Sequence, residues 1–139
     1  MTSDASTGSH TVSDAAGNVA NAGPIAGNKI DRKAPEISCG SDDGTWHAGN
    51  VDILCTAEDG GSGLADGDDA TFTLSTNVAE GDETDAASTG SRQVSDAVGN
   101  TATAAAATGI KVDRKAPVVG CDPVDDRWHN DDVTFLCTA

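Results

Sequence analysis

Two sets of residues in this chain could do chemistry, and each occurs more than once. Cys39, His47 and Cys55 recur with the same spacing as Cys121, His129 and Cys137. Two thiols can oxidise to a disulfide, and two thiols with an imidazole can hold part of a zinc site. Structural zinc sites use four ligands and closely spaced Cys-x-x-Cys knuckles, and the chain has no such knuckle. The pattern therefore favours two disulfides, Cys39–Cys55 and Cys121–Cys137. A loop of this size, once closed, stabilises by about 3 kcal/mol in the chain-entropy view. Paired cysteines with none left over point to an oxidising location outside the cytosol.

The second set is made of side-chain oxygens. Asp96-Ala97-Val98-Gly99-Asn100 repeats an earlier Asp14-Ala15-Ala16-Gly17-Asn18. It reads first as a turn, since glycine permits positive φ and Asp or Asn can bond nearby backbone amides. Its functional reading is calcium, because these oxygens are hard ligands. The candidate ligands are Glu58, Asp59, Asp96, Asn100 and Asp113, with Asp66, Asp68 and Asp69 as further ones. Asp66-Gly67-Asp68-Asp69 lacks the ligand spacing and closing Glu of an EF-hand loop. A solvated acidic surface is the plainer alternative. No motif demands a cofactor, and calcium is the one ion these residues suit.

Trp46-His47 and Trp128-His129 lie inside the cysteine loops, among Asp, Gly and Asn. Exposed, Trp46, His47 and Trp128 would form a surface that stacks on a sugar or meets a protein. Buried, the tryptophan would fold over the disulfide and cap the core, leaving His47 at the surface. With two Phe, two Trp and no Tyr in 139 residues, the core needs that area, which favours the buried reading. Catalysis has no support: there is no phosphate loop and no Gly-x-Ser-x-Gly elbow, and no nucleophile stands out near the three histidines. The chain is expected not to be an enzyme.

The elements that position these residues are strands. Pro35–Cys39, Val51–Ala57, Thr71–Ser75, Arg92–Asp96 and Gly109–Asp113 carry β-type patterns, and helical periodicity is absent. Along them, Val51, Ile53, Cys55 and Ala57 share a face, as do Phe72 with Leu74 and Ile110 with Val112. Turn-rich segments separate the strands. The expected fold is an all-β sandwich.

The chain also repeats at a spacing of about 82 residues, with about half of the alignable positions identical. Asp31-Arg32-Lys33-Ala34-Pro35, for example, returns as Asp113-Arg114-Lys115-Ala116-Pro117. This divides the chain into the back part of one unit (1–33), a complete unit (34–115) and the front part of a third (116–139). The expected object is a piece of a longer tandem array, joined by short linkers that make it a semi-stiff rod. A formal charge of −15 disfavours nucleic acid and anionic membrane surfaces as partners. Thr2–Asn18 is too polar for a signal peptide, so an export signal is expected outside this sequence. No stretch reaches membrane-spanning length, so no membrane insertion is expected.

Cys55-Thr56-Ala57-Glu58-Asp59 followed by Gly61-Ser62-Gly63-Leu64, then Val94–Asn100 and Lys111–Pro117, resembles the bacterial immunoglobulin-like repeats of long secreted and surface proteins. The resemblance spans nearly the whole chain. It implies an immunoglobulin-like β-sandwich in tandem, an extracellular or cell-surface location, and a stalk, adhesive or spacer role. The alternative it implies is a binding module for a glycan or protein, with calcium as a stabiliser. The partners it implies are neighbouring repeats and a surface ligand.

Overall fold

The computed structural model describes residues 1–139, and the chain is all-β with one short 3₁₀ turn at Gly67–Ala70. Four strands precede the first cysteine: β1 (Thr2–Ala5), β2 (His10–Ser13), β3 (Val19–Ala22) and β4 (Asn28–Ile30). The central eight are β5 (Glu36–Cys39), β6 (Trp46–His47), β7 (Asp52–Glu58), β8 (Thr71–Ser75), β9 (Glu83–Ser88), β10 (Arg92–Ser95), β11 (Thr101–Ala104) and β12 (Thr108–Asp113). Two short strands follow, β13 (Gly120–Cys121) and β14 (Cys137–Thr138). No helix is long and apolar enough to cross a membrane.

Alternation in the sequence decides which faces are buried. Along β7 every second residue is apolar, so the extended backbone sends Ile53, Cys55 and Ala57 inward and Leu54 out to solvent. β8 does the same with Phe72 and Leu74, and β12 with Ile110 and Val112. β7 pairs antiparallel with both β5 and β8, giving a sheet ordered β5-β7-β8. A second sheet is ordered β6-β12-β9, and β10 pairs with β11 as a hairpin.

The inward faces meet in two clusters. Cys55, Ala57, Phe72 and Leu74 pack against Val94 and Ala104 of the β10–β11 hairpin. Ile53 packs with Ala87, Ile110 and Val112 of the other sheet. β7 thus contributes to both, in a face-to-face arrangement consistent with a β-sandwich. Buried residues number 14 of 139, all between Pro35 and Val112, so covalent links carry more weight than usual. In the closing segment Val133, Phe135 and Leu136 are exposed.

β9 has no counterpart among the expected strands. Thr84–Ser88 holds no large apolar side chain, yet it pairs with β12 and buries Ala87. Its pairing is irregular around Gly109, whose φ of 78° lets β12 bulge there. β6 is the second addition: it pairs in parallel with β12, Trp46 opposite Lys111 and His47 opposite Val112.

Both cysteine pairs are disulfides and no thiol is free, which suits an oxidising environment. Each bond joins residues directly opposite one another in an antiparallel ladder, Cys39 to Cys55 and Cys121 to Cys137.

Candidate cation site at the chain junction

The loop after β7 is built around Asp59. Its Oδ2 accepts hydrogen bonds from the amides of Gly61 (3.0 Å) and Gly63 (2.8 Å), which curls the Gly-rich segment back on itself. Its Oδ1 lies out of contact with solvent and has no hydrogen-bond partner. Asp96, at the end of β10, is 2% exposed. Asp96 Oδ1 accepts from the amides of Val98 (3.0 Å) and Asn100 (2.7 Å), and the Asn100 carboxamide donates to Oδ2 at 2.6 Å. Burial pushes this carboxyl up, but the bonds from Asn100, Val98 and Gly99 outweigh it and hold the group below the usual carboxylate range.

The third carboxylate comes from the junction. Asp31 Oδ1 accepts from the Lys33 amide at 3.0 Å, and Oδ2 accepts from the Ser62 amide at 2.7 Å. Those two amides, Lys33 first, hold the Asp31 carboxyl low. Asn100 Nδ2 also donates to the Asp31 carbonyl at 3.3 Å. A Cβ at Gly61 would fall on the Asp31 carboxylate, so a larger residue there would have to displace that side chain. Asp31, Asp59 and Asp96 thereby bring one oxygen each to within 4.8 Å of one another. They stand beside a cleft of about 730 Å³ lined by Thr2, Lys29, Ile30, Gly60 and Val98.

Of the residues expected to bind calcium, Asp59, Asp96 and Asn100 meet at this point. Glu58 is exposed on β7 opposite Glu36, and Asp113 binds the Lys115 amide at 2.9 Å near the other end of the 34–115 segment. Asp66 caps the 3₁₀ turn, and Asp69 binds Arg92 at 2.6 Å, with that guanidinium over the Phe72 ring. Asp31 was absent from the candidates. The signal for it was the repeat itself, which places Asp31 where Asp113 stands one unit later.

A second cluster lies in the cysteine loop. His47 Nε2 meets Asp42 Oδ1 at 2.9 Å and Asp43 Oδ1 at 3.2 Å, and His129 meets Asp125 at 3.0 Å. The Thr45 amide and hydroxyl, in that order, hold the Asp43 carboxyl low. The tryptophans differ from the expected placement. Trp46 is 55% exposed and Trp128 fully so, and neither supplies the core. The cause is strand alternation: with His47 turned partly inward on β6, Trp46 must point out. Trp46→Ala is therefore expected to change unfolding free energy by no more than about 0.5 kcal/mol in a urea melt.

No protein-family model, no curated protein and no solved structure matches this chain.

Proposed function

We propose that the chain is a non-catalytic structural segment, a stalk or spacer of tandem immunoglobulin-like units, in an exported bacterial surface protein. Its units are 1–33, 34–115 and 116–139, the outer two being parts of further copies. The observation that carries this reading is the recurrence of one backbone plan. β2 pairs with β3 through His10–Ala22 to Ser13–Val19, and the β10–β11 pairs fall on the same residues one repeat later. The cross-strand cystine recurs in the same way. A junction in which Pro35 is buried and Asp31 is tied to Ser62 supports restricted angles between neighbours. Two disulfides and the high negative charge support a location outside the cell.

Small-angle scattering on chains of two, three and four units tests the proposal. A stalk extends its maximum dimension by a constant increment per unit; compact particles would remove the reading.

The exposure of Trp46 beside Asp42, Asp43 and His47 favours a second role, binding of a glycan or protein through this loop. Under it, Trp46→Ala abolishes retention on the partner while the melt stays unchanged. Equal retention of both proteins would dismiss it.

A further inference from the structure

We propose that the Asp122–Pro123 peptide bond is a self-cleavage site, at which the Asp122 carboxyl cuts its own chain inside the second cysteine loop. Of the four prolines in the sequence, only Pro123 follows an aspartate. An Asp–Pro bond sets a carboxyl within reach of its own backbone carbonyl carbon. It also offers a leaving nitrogen more basic than that of other residues. The proline ring further biases Asp122 toward extended backbone.

The surroundings leave this bond open to reaction. Asp122 donates its amide to the Leu136 carbonyl at 2.9 Å and accepts from the Leu136 amide through Oδ2 at 3.3 Å. Those two bonds anchor the residue, while Oδ1 has no hydrogen-bond partner and Pro123 has no N–H to tie the far side down. Asp122 and Pro123 are both exposed, so water reaches the reacting carbon. No Lys, Arg or His forms an ion pair with Asp122; within this loop such a pair joins Asp125 to His129. Asp126, in the same loop, holds φ at 57°, the one residue other than glycine with a positive value, and opening the ring releases it from that conformation.

In the step itself an Asp122 carboxyl oxygen bonds to the Asp122 carbonyl carbon, and the C–N bond to Pro123 breaks. The carboxyl proton passes to the prolyl nitrogen, leaving a cyclic anhydride on residue 122. Water then opens the anhydride, restoring the Asp122 side chain and leaving a new C-terminal carboxyl. This happens once per chain and is not turnover. The Cys121–Cys137 bond keeps 1–122 and 123–139 joined, and the segment bearing Trp128 becomes a flap with a free end. The first cysteine loop has the matching backbone bond, from the Gly40 amide to the Leu54 carbonyl at 2.9 Å. It carries Gly40-Ser41 where the second carries Asp122-Pro123, so it cannot be cut in this way. None of this depends on the role proposed for the chain.

Intact mass of the purified full chain, with and without reduction, tests the proposal after incubation at about pH 3, where carboxyls take up protons, and at about pH 7. At the lower pH the unreduced protein should gain the mass of one water, and reduction should release 123–139. Asp122→Ala should abolish both changes, and Pro123→Ala should cut the yield to that seen after other aspartates. Neither substitution touches a buried residue, so both variants should melt like the parent. Dilution should leave the first-order rate constant unchanged. A chain that stays whole at the lower pH would overturn the proposal. So would equal cutting of Asp122→Ala, comparable cutting after other aspartates in the parent, or a rate constant that falls on dilution, the mark of a contaminating protease. Release of 123–139 without reduction would overturn the tethered flap.

Discussion

Removing the first disulfide, by Cys39→Ala with Cys55→Ala, is expected to lower the unfolding free energy by about 3 kcal/mol. The bond closes a loop across 16 positions, and without it the unfolded chain regains that loop's freedom. Single domains have about 5–15 kcal/mol in total, and here ten buried apolar residues make up the core. A loss of this size leaves a marginal domain. Urea titration measures it, and reducing the parent protein should move its midpoint equally. A change below about 1 kcal/mol would mean that the ladder from Glu36–Glu58 to Cys39–Cys55 holds without the covalent link. The second disulfide supplies the control. β13 and β14 contribute no buried residue, so Cys121→Ala with Cys137→Ala should leave the main transition within about 0.5 kcal/mol.

The other large effect is expected at Asp96. Asp14 and Asp96 hold identical turns: each accepts from the backbone two and four residues on and from an Asn carboxamide. They differ in surroundings, for Asp14 is exposed and Asp96 is buried beside Val94 on β10. Water can replace the lost acceptor at residue 14 but not at residue 96. Asp96→Ala should therefore lower the urea midpoint far more than Asp14→Ala, and more than Ile110→Val, which costs about 0.5–1.5 kcal/mol. Equal effects of the two alanine variants would refute the argument. The pH dependence follows from the depressed carboxyl. Unfolded, the group titrates near 3.8; folded, it titrates lower. Its stabilisation is complete above the unfolded value and disappears as pH falls through the folded one. Below about pH 4 the parent should lose stability more steeply than Asp96→Ala.

Much of the fold was legible because one-dimensional alternation maps directly onto two faces. Ile53 and Cys55, Phe72 and Leu74, and Ile110 and Val112 all bury where their spacing puts them. β9 was not legible, since Thr84–Ser88 fits its place by being small rather than apolar. Trp46 was misread for a related reason. A core short of aromatics appeared to need it, but β7, β8, β10 and β12 close that core with aliphatic side chains and Phe72. The carboxylate cluster was half legible. Asp59, Asp96 and Asn100 carry turn signals of their own, while the Asp31–Ser62 contact joins residues 31 positions apart, and no local pattern encodes it.

The position of the first cystine also fixes how much chain a unit can give up when stretched. A pull applied through Pro35 and Lys115 enters at β5 and reaches Cys39 almost at once. From there tension crosses the sulfur bridge to Cys55, and the residues between, Trp46 and His47 among them, stay slack. About one fifth of the 34–115 segment is thus withheld from extension, and the loop that carries Trp46 bears no tension even when the rest of the unit has come apart.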